Sequence, residues 1–482
     1  MSAGTRRWAA ALSATAVTVG LSVAMATPAG AVGGPCGQSS GSSGSGGSSG
    51  SSGSLGSSGL TGSLMGSLGA GSLGSATGSL ANSLPWITGA PDGALPILSG
   101  KTKAIEMVTG PGSPNKTIER FSVSGTDLGI MWDNGAGQVL MAFGDTVGDC
   151  DEPGDQWRSN VLFRSSDRNL ADGMRLDNSP LATPPPPNFS RQVIQGLLGQ
   201  NPGSFPEFTV IPTGGVAVDG KQYVRWMSVR SWDTPGEWTT NYSGLAESSD
   251  NGDTWKTLPQ TVRLNREGVF DGIDLPGVPA LASANKNWQM SAFVPGRGAD
   301  DKYVYEFGTP SGRSGEARLA RVLATSADMV DLTKYEYWTG STWSADISAA
   351  KPVINGKVSE LSVQWNDYLG KYIAMYTDVN GLVMRQSDSP IGPWSGKQTI
   401  VSSVALPSLY GGLMHPWSQG KDLHFVLTTW DRYNVIYMRT DLGAGLMSRG
   451  TGDAPDPGVT GEQKLLGVET PESGETLQLN VK

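Results

Sequence analysis

A pattern that recurs five times along the chain is the feature that most constrains the fold. Each copy is an apolar strand that ends in Ser or Thr and Asp, and a glycine turn usually follows. The copies are VLFRSSDRNLADGM (161–174), SGLAESSDNGDTW (243–255), ARLARVLATSADM (317–329), LVMRQSDSPIGPW (382–394) and VIYMRTDLG (435–443). Another strand precedes each copy, in the order VLMAFGDT, YVRWMSVR, YVYEFGTP, YIAMYTD and LHFVLTTW. Such internal repeats indicate a structure built from repeated supersecondary units.

The length of the repeat predicts the kind of unit. Five units share the folded region at roughly 67 residues each, which is enough for the four short strands of a β-propeller blade. Ser248, Asp250, Gly252 and Trp255 also match the Asp-box turn of sialidase-like propellers, in which the aspartate caps a turn and the tryptophan packs between strands. We therefore predict an all-β, five-bladed β-propeller over residues 101–445. A two-sheet sandwich is the alternative, but it does not account for five copies.

The first residues have the layout of a secretory signal peptide. Arg6 and Arg7 precede an apolar run over residues 8–26, and the small residues Ala-Gly-Ala at 29–31 form a cleavage site. An uncleaved membrane anchor is the alternative, but polar residues interrupt the run, and a span requires roughly 20 apolar residues. We expect residues 1–31 to be removed, the protein to be secreted or held in the cell envelope, and no membrane span to remain.

Two segments of biased composition flank the predicted propeller. Residues 32–100 contain a long Ser/Gly-rich tract without aromatic or charged side chains, and residues 446–482 are rich in Gly, Pro and acids. Such segments bury too little apolar surface to offset the entropy of ordering the chain. We expect a disordered tether before the propeller and a flexible tail after it.

The charge of the chain limits its partners. The formal net charge is −9 and only 16% of residues are charged, whereas nucleic acid and anionic lipid both demand clustered Lys and Arg. We therefore expect no nucleic-acid partner. A surface of low charge suits a neutral or cationic partner instead. We also expect the protein to be a monomer. The two cysteines, Cys36 and Cys150, are too few for a disulfide scaffold, and in an oxidising compartment they either pair or stay free.

Two aspartates of the first repeat are expected to face each other. Within SGTDLGIMWDNGAGQVLMAFGDT (124–146), the pair Asn134–Gly135 is a strong hairpin signal. A turn centred just after it places Asp127 opposite Asp145 at the open end of the blade, with Cβ atoms roughly 4.5–5.5 Å apart. A slip of one residue would put the two carboxyl groups on opposite faces.

Like charges that face each other in a sheet are destabilising, so a purely structural sequence would avoid this pair. One member should keep a proton while the other ionises, and glycoside hydrolysis requires such a pair. The alternatives are a metal site or solvated loop acids. We interpret the neighbouring acids Asp149, Asp151, Glu152 and Asp155 as solvated charge. A structural calcium ion on the axis or in this loop stays open, and we expect no required cofactor.

Polar residues recur at strand starts near the predicted axis, where they would ring a polar pocket. We assign substrate contacts to Glu207, Arg230, Glu360, Tyr410 and His415. For each of them, a structural ion pair or hydrogen bond is the competing interpretation. No cluster of His and Cys has the spacing of a transition-metal site.

Aromatic and loop residues complete the candidate site. Thirteen of the 15 tryptophans lie within the predicted propeller, and most should pack between blades. Trp226, Trp232 and Trp238 fall in or beside predicted loops and are candidates to line a cleft, and Trp226 is assigned to substrate binding. Arg158 and Asn160 join that group because they are expected to hold the loop that carries the second aspartate.

Several motifs in order carry a family resemblance: TDLGIMWDNGAGQVLMAFGDT, WRSNVLFRSSD, SFPEFTVIPTGG, YVRWMSVRSW, WTTNYSGLAESSDNGDTW and MSAFVPG. Over about residues 103–445 the chain resembles the secreted actinobacterial domain-of-unknown-function family 4185 (DUF4185), which is associated with endo-D-arabinanases of glycoside hydrolase family 183. The resemblance implies a five-bladed propeller that cleaves internal α-D-arabinofuranosyl bonds of cell-wall arabinogalactan or lipoarabinomannan. It also implies a catalytic aspartate pair, which falls on Asp127 and Asp145.

We therefore predict a secreted, endo-acting glycoside hydrolase with Asp127 and Asp145 as the catalytic pair, the roles of acid and nucleophile or base being unassigned. The short expected separation favours a retaining mechanism. A non-catalytic carbohydrate-binding propeller of the cell envelope is the alternative. A sialidase-like enzyme would need a cluster of arginines and a tyrosine nucleophile, for which Arg230 and Arg385 are an incomplete set.

Overall fold

The structure is a computed structural model that describes residues 93–152, 156–183, 188–199, 205–234, 236–443, 463–470 and 476–478. These residues form 24 β-strands, two short α-helices and five 3-10 helices. Among them no helix is long and apolar enough to cross a membrane. With only two α-helices, of five and four residues, the described part of the chain is nearly all β.

The strands form five consecutive blades and one small extra sheet. In chain order the elements are β1 (Leu95–Leu98), β2 (Thr102–Met107), α1 (Thr117–Phe121), β3 (Gly125–Asp133), β4 (Val139–Val147), β5 (Val161–Ser165), β6 (Thr209–Val218), β7 (Lys221–Trp232), β8 (Trp238–Ser248), β9 (Lys256–Leu264), β10 (Met290–Pro295), β11 (Tyr303–Thr309), β12 (Ala317–Leu323), α2 (Ser326–Met329), β13 (Glu336–Trp338), β14 (Trp343–Ser344), β15 (Pro352–Ile354), β16 (Ser362–Asn366), β17 (Lys371–Asp378), β18 (Gly381–Ser387), β19 (Gln398–Ser402), β20 (Leu409–Met414), β21 (Asp422–Thr429), β22 (Asn434–Asp441), β23 (Leu465–Glu469) and β24 (Thr476–Gln478). The 3-10 helices are Leu170–Asp172, Ser283–Asn287, Gly298–Asp300, Leu332–Lys334 and Ile347–Ala349.

Each blade is an antiparallel sheet. Blade 1 contains β3–β5, blade 2 β6–β9, blade 3 β10–β15, blade 4 β16–β19, and blade 5 β20–β22 together with β2. The innermost strands β3, β6, β10, β16 and β20 contact one another in a ring around the central axis. Their first residues line one cavity at one end of the axis, and their last residues line a second cavity at the other end.

Strands from both ends of the propeller close the ring. β2 precedes all the blades in sequence, yet it pairs antiparallel with β22 as the outer strand of blade 5. A hydrogen bond of 2.9 Å between the hydroxyl groups of Thr102 and Thr440 reinforces this pairing. Closure leaves only short, protected strand edges, which is the general solution of propeller folds.

The fivefold repeat corresponds to the second and third strands of every blade, and the predicted five-bladed propeller is confirmed. The strands that precede the copies are β4, β7, β11, β17 and β21, and the copies contain β5, β8, β12, β18 and β22. The Asp-box turn is also structural. Asp250 accepts a hydrogen bond of 2.8 Å from the backbone N–H of Thr254, and Trp255 packs edge-on against Trp132 of blade 1 at 6.4 Å between ring centroids.

The uninterrupted apolar run at the start of β4 reflects burial on both faces. Met141 and Phe143 belong to a core cluster that includes Val426 of blade 5. Leu140 belongs to a different cluster that includes Val210 of blade 2. A strand covered on both faces has no solvent side and so loses the alternation of apolar and polar residues.

The extra sheet differs from the sequence prediction. β1 pairs with β23, and β23 pairs with β24, inside segments predicted to be a disordered tether (32–100) and a flexible tail (446–482). Leu98, Leu465 and Val468 are buried in the core cluster shared by blades 4 and 5. These few apolar residues anchor the extra sheet to the core. The biased composition of the residues around them gave no sign of this in the sequence.

The predicted signal peptide (1–31) and most of the tether and tail lie outside the described residues, as does Cys36. Cys150 is described and is not a free thiol.

Candidate active site

The β3–β4 hairpin brings the two predicted aspartates together, although not in the simple register expected. The ladder has that register at Thr126 and Thr146 but loses it at the next position. Asp127 therefore lies opposite two residues, Gly144 and Asp145, in a β-bulge. Bulges re-aim side chains and are common beside active sites.

Gly144 explains why the apolar strand breaks before Asp145. A Cβ atom on residue 144 would lie 2.3 Å from Oδ1 of Asp127, so a side chain here would collide with that carboxyl group. On the facing strand, Leu128 and Gly129 have positive φ angles of 68° and 86°. The left-handed conformation is unusual for leucine, and it gives β3 the bend that accompanies the bulge.

Asp127 is the member of the pair that retains its proton. Its Oδ2 lies 3.0 Å from the hydroxyl of Tyr410, while its buried Oδ1 has no hydrogen-bond partner among the described residues. Burial raises the pKa of Asp127 well above its ordinary value, and the charges of Asp145 and Glu360 raise it further. The hydrogen bond from Tyr410 and the charge of Arg313 oppose this shift only in part.

Asp145 ionises before its neighbour as the pH rises. The residue is partly exposed, yet the surrounding protein removes enough water to raise the pKa of Asp145 to about 7. A hydrogen bond donated by the hydroxyl of Thr209 stabilises the carboxylate and limits the rise. The pair can therefore supply one proton donor and one carboxylate at the same time.

Asp127 lines the cavity at the end of the axis where the inner strands begin, and every blade contributes to the wall. One polar or aromatic side chain from each blade, in order, is Asp127, Trp238, Arg313, Glu360 and Tyr410. The rest of the wall consists of Leu128, Ile130, Ile211, Pro212, Thr213, Met227, Trp232, Met290, Ser291, Thr309, Leu361, Leu413 and Trp430. A mostly apolar wall with a few convergent polar groups is the usual composition of a small-molecule site.

Two further contacts organise this cavity. Nη2 of Arg313 lies 2.6 Å from Oε1 of Glu360, and both side chains are more than four-fifths buried. Burial opposes ionisation of Glu360, but the charge of Arg313 and its hydrogen bonds hold the pKa of Glu360 below its ordinary value. Tyr410 stacks on Trp430, with ring centroids 4.1 Å apart and planes inclined by 15°.

Residues 112–439 match the family described as Domain of unknown function (DUF4185). The chain belongs to the DUF4185 family. The match covers all five blades except the outer strand β2 and the last residues of β22, so the predicted family is confirmed. The actinobacterial origin of the chain and its association with endo-D-arabinanases stay predictions.

Curated relatives of this DUF4185 protein come from fungi. Notoamide biosynthesis cluster protein J of Aspergillus sp. (strain MF297-2) is 30% identical over 349 residues, which cover 68% of this chain and 86% of that protein. Notoamide biosynthesis cluster protein J' of Aspergillus versicolor is 30% identical over 331 residues, which cover 66% and 84% respectively.

Similar solved structures are more distant. A putative hydrolase from Bacteroides ovatus ATCC 8483 superposes with a TM-score of 0.43 at 14% identity, over 67% of this chain and 88% of that one. The native arabinanase Arb43A of Bacillus subtilis superposes with a TM-score of 0.35 at 13% identity, over 65% and 95%. Likenesses at this distance say nothing about function.

Three residues assigned to substrate binding lie in the core of the DUF4185 propeller, and those assignments are corrected. Glu207 is 2% exposed and accepts a hydrogen bond of 2.8 Å from the hydroxyl of Tyr242. Trp226 is fully buried and packs edge-on against the same tyrosine at 5.4 Å. His415 is fully buried, and burial lowers its pKa to about 3, so it is neutral. In each case neighbouring parts of the chain bury the side chain that was predicted to face the pocket.

Arg158 and Asn160 hold loops rather than contact a ligand. The backbone of Arg158 pairs with Thr146 in both directions, at 2.8 and 2.9 Å, so it does brace the segment after Asp145. The side chain of Asn160 makes four hydrogen bonds to the backbone, with Val193, Ile194 (twice) and Val210 as partners. Both side chains are buried.

Arg230 lies outside the cavity wall. Its guanidinium group covers the ring of Phe205 at 4.3 Å from the centroid, and one nitrogen lies 3.4 Å from Oδ1 of Asn241. These contacts are structural and do not bring Arg230 to the aspartate pair.

Several residues of the site were not predicted. Thr209, Arg313, Trp430 and Tyr433 either line the cavity or influence the pair. Arg313 lies in the turn between β11 and β12, and Trp430 and Tyr433 lie in the turn between β21 and β22. The signal that points to Arg313, Trp430 and Tyr433 is their position in hairpin turns at the same end of the blades as Asp145.

The described residues offer little for a metal ion. No group of three or more His, Cys, Asp or Glu side chains within them is arranged to hold one. Asp149, Asp151 and Glu152 of the acidic loop are described, whereas Asp155 lies outside the described residues. A structural calcium ion in this loop stays a prediction.

Proposed function

We propose that this DUF4185 protein is a secreted, endo-acting glycoside hydrolase, an endo-D-arabinanase that cleaves α-D-arabinofuranosyl linkages of cell-wall arabinogalactan or lipoarabinomannan. The observation that supports the reaction type is the pair of neighbouring aspartates, of which Asp127 is buried in the wall of an axial cavity and Asp145 is partly exposed beside it. The choice of arabinan as substrate rests on the family resemblance. No cofactor enters the proposed reaction.

The proposed roles follow from the surroundings of each carboxyl group. Asp127 keeps its proton to higher pH and donates it to the departing glycosidic oxygen. Asp145 ionises first, and its carboxylate acts at the anomeric carbon. If Asp145 attacks that carbon itself the configuration is retained, and if it activates a water molecule the configuration is inverted. The anomeric form of the first product, followed by NMR, distinguishes these routes.

The cavity is compatible with a neutral sugar. Its wall is largely apolar and aromatic, and the charge of Arg313 is balanced by Glu360. An ionised Asp145 disfavours an anionic sugar at the reacting position, because like charges repel at short range. These features support a neutral glycan as substrate.

The test is to incubate the mature protein with purified arabinogalactan and to profile the released fragments. We expect a ladder of arabino-oligosaccharides, which only internal cleavage produces. Asp127→Asn and Asp145→Asn should release fragments at least about 10²-fold more slowly, whereas Asp388→Asn, which makes the same change at an exposed ion pair with Lys371, should match the wild type. Release of free arabinose alone contradicts endo action. Binding of arabinan without any release assigns the protein to the alternative, a carbohydrate-binding propeller.

A further inference from the structure

Arg313 reaches across the top of the cavity from a strained turn. It has a positive φ of 54° at the tip of the β11–β12 hairpin, a backbone conformation that is uncommon for side chains of this size. Nη1 donates a hydrogen bond of 3.2 Å to the carbonyl of Gly236 in blade 2, and Nη2 donates one of 2.6 Å to Oε1 of Glu360 at the start of blade 4. Strain of this kind concentrates at functional sites.

Aromatic rings from two blades frame the guanidinium group. The central carbon of Arg313 lies 5.2 Å from the ring centroid of Trp238, 5.7 Å from that of Tyr410 and 5.9 Å from that of Trp430. These rings and Glu360 restrict the plane of the guanidinium group. Arg313 is therefore held in one orientation in the cavity wall.

The hydrogen-bond inventory of Arg313 is incomplete. A guanidinium group has five N–H donors. Nε and one N–H of Nη2 donate to Glu360, and one N–H of Nη1 donates to Gly236. Two N–H groups therefore have no acceptor within the described residues, although 83% of the side chain is removed from solvent. A purely structural tie does not account for two spare donors in a cavity wall.

Glu360 supplies acceptors at the same place. Its carboxylate has about four lone-pair sites. Oε1 accepts two hydrogen bonds from Arg313, at 3.2 and 2.6 Å, whereas Oε2 accepts one of 3.3 Å from the same side chain. The hydroxyl of Ser359 and the backbone N–H of Glu360 also stabilise the carboxylate. Donors and acceptors thus lie side by side, on a pair without net charge. Adjacent hydroxyl groups of a sugar ring present the complementary arrangement, because each hydroxyl both donates and accepts.

We propose that Arg313 and Glu360 form the subsite that recognises an unsubstituted vicinal diol of the reacting furanose ring. Arg313 donates to one hydroxyl oxygen, and Glu360 accepts from the neighbouring hydroxyl. The inference rests on the proposed function for the identity of the sugar. It adds a binding residue that sequence reasoning missed, and it excludes substrates that are substituted at either hydroxyl of that ring.

The test uses synthetic α-D-arabinofuranosyl oligosaccharides whose reacting residue is intact, 2-deoxy or 3-deoxy. A site built to bind a hydroxyl strongly rejects an analogue that lacks it. We expect wild-type kcat/KM to fall by about 10²-fold or more on at least one deoxy substrate. Arg313→Lys should lose a similar factor on the intact substrate but little more on that deoxy substrate, because the contact is already absent there. An equal loss on all three substrates overturns the proposal.

Two controls separate binding from folding. Arg321→Lys is the matched variant, because Arg321 is equally exposed, pairs with Glu336 at 2.7 Å and covers two aromatic rings away from the cavity. It should leave the ratio of the three kcat/KM values unchanged. If Arg313→Lys is poorly folded by its thermal melt, Glu360→Gln tests the same diol with a change of charge only.

A binding measurement keeps this inference distinct from the proposed function. Asp145→Asn protein, which is not expected to turn substrate over, is titrated calorimetrically with the three oligosaccharides. Preference for the intact diol that disappears with Arg313→Lys supports the subsite even if the wild type cleaves none of them, a result that would count against the hydrolase alone. Binding that ignores both the deoxy positions and the arginine overturns the subsite.

Discussion

Two carboxylate sites are buried in this propeller, and they are built in opposite ways. Glu306 of blade 3 is fully buried and accepts hydrogen bonds from Arg225, from two nitrogens of Arg263 and from Ser291, at 2.7–3.1 Å. Burial alone would raise its pKa, but the two arginines lower the pKa of Glu306 to about 2. This carboxylate is therefore ionised above about pH 2, and both of its oxygens accept hydrogen bonds.

The aspartate pair lacks that compensation. Asp127 is also buried, with 6% of its surface exposed, yet its Oδ1 has no hydrogen-bond partner among the described residues, and the charge of its neighbour Asp145 raises its pKa further. The difference teaches how to separate a charge retained for the fold from one retained for chemistry. A structural carboxylate is paired with cations and accepts hydrogen bonds at both oxygens. A reactive carboxyl group has fewer hydrogen-bond and ionic partners, so it can still gain or lose its proton.

The largest expected effect is on activity and comes from the pair. Asp127→Asn or Asp145→Asn should lower the rate of arabinan cleavage by about 10²–10⁴-fold, because a proton donor or its carboxylate partner is lost. Either change should keep or raise the melting temperature, since it removes the cost of ionising a carboxyl group that the protein shields from water. Initial rates and thermal melts check both points. A loss of stability that parallels the loss of activity would place the pair in the same class as Glu306.

The next effect is on stability and comes from Glu306. Glu306→Gln leaves Arg225 and Arg263 buried without a counter-charge, and breaking a buried ion pair in this way costs about 3–5 kcal/mol. We expect that loss in the free energy of unfolding, measured by denaturant titration, with an unchanged rate per folded molecule. Glu336→Gln, which removes a partly exposed partner of Arg321, is the control and should cost no more than about 1 kcal/mol. An altered pH–rate profile in Glu306→Gln would contradict the separation of roles.

The two kinds of site differed in how far they could be predicted. The blades follow from a pattern that repeats within neighbouring strands, and hairpin geometry is local enough to bring Asp127 and Asp145 together from spacing alone. The bulge was not predicted, because it depends on the left-handed backbone at Leu128 and on the missing side chain at Gly144. Local signals therefore identified the pair but not its detailed geometry.

The surroundings of the pair depend on contacts between distant blades. Tyr410 lies 283 residues from Asp127 in the sequence, and Thr209 lies 64 residues from Asp145. Strand-start positions led to Tyr410 but gave no sign of Thr209. Trp226 was wrongly selected because it was placed in or beside a predicted loop, whereas it lies within β7 and is fully buried in the core.

The two sites should also give opposite dependences of stability on pH. The pKa of Glu306 falls from about 4.3 when unfolded to about 2, so its stabilisation is complete above the higher value and disappears as the pH falls toward 2. The pKa of Asp145 rises from about 3.9 to about 7, so the folded state loses stability as the pH rises through that interval.

Two variants test which carboxyl group causes each change of stability with pH. Glu306→Gln should flatten the loss of stability below about pH 4, and Asp145→Asn should flatten the loss between about pH 4 and 7. The measurement is the free energy of unfolding at a series of pH values. A slope above pH 4 that is identical in Asp145→Asn and the wild type would show that this carboxyl group is not perturbed by the fold.

The smallest effect comes from a single hydrogen bond at the edge of the pair. Thr209 donates to Asp145 and lowers its pKa, and no bond of this kind compensates the buried Oδ1 of Asp127 within the described residues. Thr209→Val removes the donor at nearly constant volume. The acid limb of the kcat/KM profile, which reports ionisation of Asp145, should then move upward by on the order of one pH unit. Tyr410→Phe is the matched change on the other carboxyl group and should move the alkaline limb upward instead. If each variant moves its own limb, the two aspartates have separate roles; if both variants move the same limb, the division into donor and carboxylate fails.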